Sequence, residues 1–112
     1  MEQKIIYPLS GRGKKIVLEY YEGGKFVTWG DTLFKVPDSL INDILENFFK
    51  NVDIWYPLGA SMTDPPSDGL GKYVQSHNGS LTPRHASAIA AIMVEDRLIK
   101  YRGAKPIELK KV

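Results

Sequence analysis

The residues best suited to chemistry in this chain are basic, and they fall in three places. Lys100, Arg102, Lys105, Lys110 and Lys111 crowd the C-terminal end, interleaved with Ile99, Tyr101, Ile107 and Leu109. Arg12, Lys14 and Lys15 occupy the glycine-rich stretch Ser10-Gly11-Arg12-Gly13-Lys14-Lys15, and Arg84-His85 follows Thr82-Pro83. Clustered ammonium and guanidinium groups neutralise phosphates, with an affinity that falls steeply as salt rises. The C-terminal set is therefore a candidate nucleic-acid contact, and the first glycine loop a candidate second phosphate contact; neither pattern predicts base-specific readout. Arg84 and His85 stand where a helix should begin. Free N–H groups and the positive dipole end there make the pair a candidate site for phosphate or carboxylate. The alternative is structural, with both side chains capping a neighbouring loop or pairing with Asp64 or Asp68.

Other chemistry has less to stand on. The first glycine loop leads into a strand and lacks the Gly-Lys-Ser/Thr ending, so it is not a P-loop. His77 and His85 are too far apart for a helical metal pair, and with no cysteine there are no thiolate ligands or disulfides. No cofactor motif is present and no cofactor is expected. Trp29, Trp55, Tyr20, Tyr21, Tyr56, Tyr73 and Tyr101 are the residue types that anchor protein interfaces, so a protein partner is the second class of ligand.

Charge is distributed unevenly. The net charge is only +2, but residues 38–70 hold six acids against Lys50, whereas residues 84–112 hold seven bases against Glu95, Asp96 and Glu108. That division predicts either an acidic and a basic side or pairing between the two regions. A chain of 112 residues, 43% hydrophobic and 25% charged, has the size and composition of a single globular domain. The apolar run Ile89 to Val94 is too short to cross a bilayer, and Met1-Glu2-Gln3-Lys4 shows no leader pattern. The expectation is a cytoplasmic protein with no membrane partner.

The elements that must position these residues read as α+β. Lys4–Tyr7, Lys15–Tyr21, Lys25–Trp29 and Thr32–Val36 are β-branched and aromatic, separated by glycine turns, which predicts an antiparallel meander with Gly23-Gly24 as a two-residue hairpin turn. Leu40, Ile41, Ile44, Leu45, Phe48 and Phe49 form one stripe at the 3.6-residue period. They predict a helix over Ser39–Lys50, with Asp38 as N-cap and Asn51 in the left-handed conformation at its end. Residues 57–71 are rich in proline and glycine, with Thr63–Gly69 a surface loop; Ile54–Tyr56 suits a short strand, and residues 72–77 suit a helix or a strand. Thr82-Pro83 opens a second helix, from Pro83 to Val94, with Thr82 as N-cap and Ala86, Ile89, Ala90 and Met93 on its apolar face. Arg97–Tyr101 and Pro106–Lys110 alternate across Arg102–Lys105 as a terminal hairpin, which either joins the sheet or stands as a wing.

That final helix and basic hairpin, over residues 71–111, resembles the end of a winged-helix domain. The resemblance implies a recognition helix in the major groove and a wing against the neighbouring backbone; it requires residues 71–78 to supply the intervening helix. Asp96 with Glu108-Leu109-Lys110 also resembles the Asp…Glu-x-Lys pattern of the PD-(D/E)xK nucleases, which implies a divalent metal on the two acids and lysine-assisted water attack. Taken together, the sequence predicts a small non-enzymatic binding domain with nucleic acid as its leading ligand. A protein-interaction module and a metal-dependent nuclease are the alternatives.

Overall fold

The computed structural model describes residues 3–77 and 79–112; Met1 and Glu2, where the leader was sought, lie outside them. β1 (Gln3–Ile6), β2 (Ile16–Tyr21), β3 (Gly24–Trp29) and β4 (Thr32–Pro37) form an antiparallel sheet in chain order, the predicted meander. Alternation along the strands sends Ile6, Ile16, Leu18, Val27 and Val36 inward, all buried, and leaves Ile5, Thr28 and Leu33 exposed outside. The β2–β3 turn falls one residue earlier than predicted. Tyr21 pairs with Gly24, so Glu22 and Gly23 are central, and of the two only Gly23 is left-handed, with φ of 103°. Gly24 already lies in β3, where a β-carbon would sit 2.8 Å from both Pro37 Cα and the Val36 carbonyl oxygen. Packing, not turn geometry, requires glycine there.

The predicted first helix divides in two. α1 spans Asp38–Asp43 and runs into a π-helical turn over Ile44–Phe48. Its N-cap is Pro37, with no side-chain cap, because Asp38 is already helical and donates its backbone N–H to the Gly23 carbonyl at 2.8 Å. Asn51 is not left-handed, since the helical path ends at Phe48. Phe48 ends this turn and Phe49 follows it, and both rings of the predicted stripe are buried, edge to face at 4.8 Å.

β5 is only Tyr56–Pro57. The chain after it is pinned at its base: the Leu58 N–H donates to the Ile107 carbonyl at 3.0 Å, and the Gly71 N–H to the Leu58 carbonyl at 2.9 Å. Gly71 must be glycine, because a β-carbon would collide with the Gly59 carbonyl oxygen. This contact opens α2 (Leu70–His77), so residues 72–77 are helical.

α3 (His85–Glu95) starts later than predicted. Thr82 to Ser87 form tight i→i+3 turns, with the His85, Ala86 and Ser87 N–H groups donating to the Thr82, Pro83 and Arg84 carbonyls. Arg84, not Thr82, is the N-cap residue. At the other end the Leu98 N–H donates to the Met93 carbonyl at 2.9 Å and the Arg97 N–H to the Val94 carbonyl at 3.0 Å. That is a Schellman motif, with Arg97 in the left-handed position at φ 61°.

β6 (Ile99–Arg102) and β7 (Glu108–Lys111) form the predicted hairpin, which joins β5 in a second sheet of order β5-β7-β6 instead of extending the meander. α3 lies between the two sheets and touches α2, β6 and β1. Ala86 and the whole run Ala88–Met93 are buried. One continuous core therefore includes the inner face of the meander, both phenylalanines, α3, and Ile99 and Leu109 of the second sheet.

Candidate functional site

The β6–β7 register sets Lys100 opposite Lys110 and Arg102 opposite Glu108. Because strands alternate faces, those four side chains share the outer face while Ile99 and Leu109 enter the core. Trp55, immediately before β5, completes the arrangement. The Arg102 Cζ lies 4.1 Å from its ring centre, with the Lys110 Nζ at 5.5 Å and the Lys100 Nζ at 6.0 Å. One indole is ringed by three cations. Arg102 Nε donates to Glu108 Oε1 at 2.9 Å, so a single carboxylate opposes the three. Like charges directly across a strand pair destabilise it. Contact with the indole, worth about 0.5–1 kcal/mol for an exposed cation, offsets part of that repulsion.

The other predicted basic residues divide. Lys105 is exposed in the hairpin loop and borders a different cavity, with Pro57, Gly59 and Pro66. Lys111 is not part of the outer face: one residue beyond Lys110, it points to the opposite side, and its Nζ donates to the Leu45 carbonyl at 3.3 Å. Arg12, Lys14 and Lys15 are exposed between β1 and β2. Lys14 shares a cavity with Arg84, not with the hairpin.

His85 is engaged at one ring nitrogen within its own turn. Its Nδ1 accepts the Thr82 backbone N–H at 3.0 Å and lies 2.9 Å from Thr82 Oγ1, while the ring meets Phe34 edge to face at 4.6 Å. An N–H directed at Nδ1 requires the neutral ring. Burial pushes the pKa of His85 down, outweighing the opposing effect of the Thr82 hydrogen bond, and the Arg84 charge lowers it further. Among the described residues Arg84 makes no ion pair with the expected partners Asp64 and Asp68; it lies over Trp29, with its Cζ 5.4 Å from the ring centre. Among the described residues the ion pairs are Lys4–Glu95, Lys25–Asp96 and Arg102–Glu108, so none joins the acidic and basic regions.

The nuclease pattern is split between two such pairs. Asp96 holds the buried Lys25 at 3.4 Å, and Glu108 holds Arg102. No group of three His, Asp or Glu side chains placed to hold a metal occurs among the described residues. The middle of α3, Ala88 to Met93, is buried, and its ends meet the meander through Phe34 on His85 and Lys4 on Glu95 at 2.8 Å.

No family model, curated protein or solved structure matches this chain. The site must therefore be judged on its own chemistry, and Trp55 is the member that the sequence reading left out of the basic cluster. No periodic signal marks it; only the pairing of Tyr56 with Leu109 brings it to the hairpin. Four other aromatics serve packing. Phe48, Phe49, Tyr56 and Tyr73 cluster between α1, α2 and the second sheet. Tyr73 donates its hydroxyl to Asp43 Oδ2 at 2.8 Å. Burial, with Asp43 beside it, pushes the Tyr73 pKa up to about 12, and the same hydrogen bond lowers that of Asp43. The pair is a fixed donor and acceptor joining α1 to α2. No helix among the described residues is long and apolar enough to cross a membrane.

Proposed function

We propose that this chain is a non-enzymatic binding domain that holds single-stranded nucleic acid on the outer face of its second sheet. The observation that carries the reading is Trp55 ringed by Lys100, Arg102 and Lys110. Cations beside an aromatic plane match a strand whose phosphates are neutralised while a base stacks on the indole or on the arginine plane. Lys100 directly opposite Lys110 supports it further: local repulsion of this kind persists where a function requires it, and phosphate relieves it. Contact through the hairpin face without α3 favours strands whose bases are unstacked over duplex.

Anisotropy of labelled single-stranded DNA, RNA and duplex DNA tests the reading. Trp55→Ala should weaken single-strand binding by about 1–3 kcal/mol, the usual worth of one stacked base. Duplex bound as tightly as single strand, or an unchanged affinity in Trp55→Ala, would overturn it. A protein partner is the second reading, carried by the uncovered outer face of the meander, where Ile5 is 49% and Leu33 70% exposed.

A further inference from the structure

A second site lies away from the hairpin. Lys14, from the β1–β2 connection, and Arg84, at the start of α3, converge on a cavity of about 390 Å³ together with Trp29, Asp31 and Thr32. The volume is at the lower end of the range for small-molecule sites, roughly 300–1,000 Å³. Each cation is placed by the fold. Lys14 lies across Gly30, its Cδ 3.0 Å from where a β-carbon would stand. Arg84 is held in the tight turn whose geometry the Thr82–His85 bonds fix, and its guanidinium lies over the indole. Neither cation has an ion pair among the described residues, although Asp31 is at the same mouth.

We propose that this cavity binds a phosphate monoester attached to a flat ring, such as a nucleoside monophosphate. A monoester carries close to two negative charges at neutral pH, which Lys14 and Arg84 together balance. Charge-assisted hydrogen bonds from an ammonium and a guanidinium hold such a group strongly. Trp29 supplies an apolar wall for the ring. Asp31 and Thr32 accept hydrogen bonds from a sugar hydroxyl or a ring N–H, and Asp31 repels ligands that are only anionic. The same chemistry is offered by a free nucleotide and by the phosphorylated 5′ end of a strand. This proposal does not rest on the hairpin reading.

The test is titration of the ¹⁵N-labelled full chain, followed by NMR, with AMP, adenosine, and a trinucleotide with or without its 5′ phosphate. AMP or the phosphorylated trinucleotide should saturate shifts at the Trp29 indole and the Gly13 and Gly30 amides with Kd at or below about 1 mM. The tighter of the two identifies the source. Lys14→Ala and Arg84→Gln should each weaken binding about tenfold, with the remaining spectrum showing an intact fold. Trp55→Ala should leave it unchanged, which separates this site from the hairpin. No saturation by about 10 mM of either phosphate ligand, equal shifts from adenosine, or full affinity in both variants would overturn the proposal.

Discussion

The charge on the hairpin face can be counted through salt. If Lys100, Arg102 and Lys110 each neutralise one phosphate of a single strand, log K should fall against log salt with a slope of about −2, since each contact contributes roughly −0.7. Between about 50 and 200 mM salt that is a loss of some 20-fold. Lys100→Ala removes one contact, so its slope should be about −1.4 and the same salt change should cost about sevenfold. Glu108→Gln is the reciprocal perturbation. Arg102 Nε is bonded to Glu108 Oε1 at 2.9 Å, and releasing it should strengthen binding at low salt. Trp55→Ala should lower affinity at every salt concentration without changing the slope, because stacking releases no counterions. Anisotropy at four or five salt concentrations measures all of this with one labelled oligonucleotide. A slope unchanged in both Lys100→Ala and Lys110→Ala would show that these cations are a solvated face, and the reasoning would fail.

Two further outcomes follow from the ends of α3. Arg97 occupies the left-handed Schellman position at φ 61°, where glycine is unstrained, so Arg97→Gly should raise stability by about 0.5–1 kcal/mol, seen as several degrees in melting temperature. His85 is held neutral and its pKa is lowered, so the folded state resists a proton that the unfolded chain accepts. Stability should be complete above the ordinary histidine range and fall as the pH drops below about 6.5. Urea midpoints at two pH values should show that loss in the native chain and a smaller one in His85→Gln.

The meander was legible because alternating residues state a face, and the first helical stripe because its period is regular. What the sequence concealed depends on tertiary contact. The π-helical turn over Ile44–Phe48 leaves no mark in the apolar period, which puts Phe48 and Phe49 on the core stripe of a regular helix as well. α2 was ambiguous because Gly71 in its first turn reads as a breaker, whereas it is the residue that lets the helix meet the Gly59 carbonyl. The candidate site was half legible. Alternation alone places Lys100, Arg102 and Lys110 together and could have separated Lys111 from them. Trp55 comes from about fifty residues away, through a strand of two residues. His85 carried a local signal, a threonine three residues before it, in the spacing of a capping box with histidine as the returning acceptor.

The burial of α3 on nearly every side has an evolutionary consequence. Ala88, Ala90 and Ala91 allow the helix backbone to sit close to both sheets, and a larger side chain at any of them would overpack the core. Selection should therefore hold this segment nearly constant in any descendant of the chain, although it touches no proposed ligand. The exposed hairpin can exchange lysine for arginine, or shift its charges by two residues, and keep its chemistry. Among relatives, the most invariant stretch should mark the packing between the sheets, and function should be sought where the sequence drifts but its charge and its tryptophan do not.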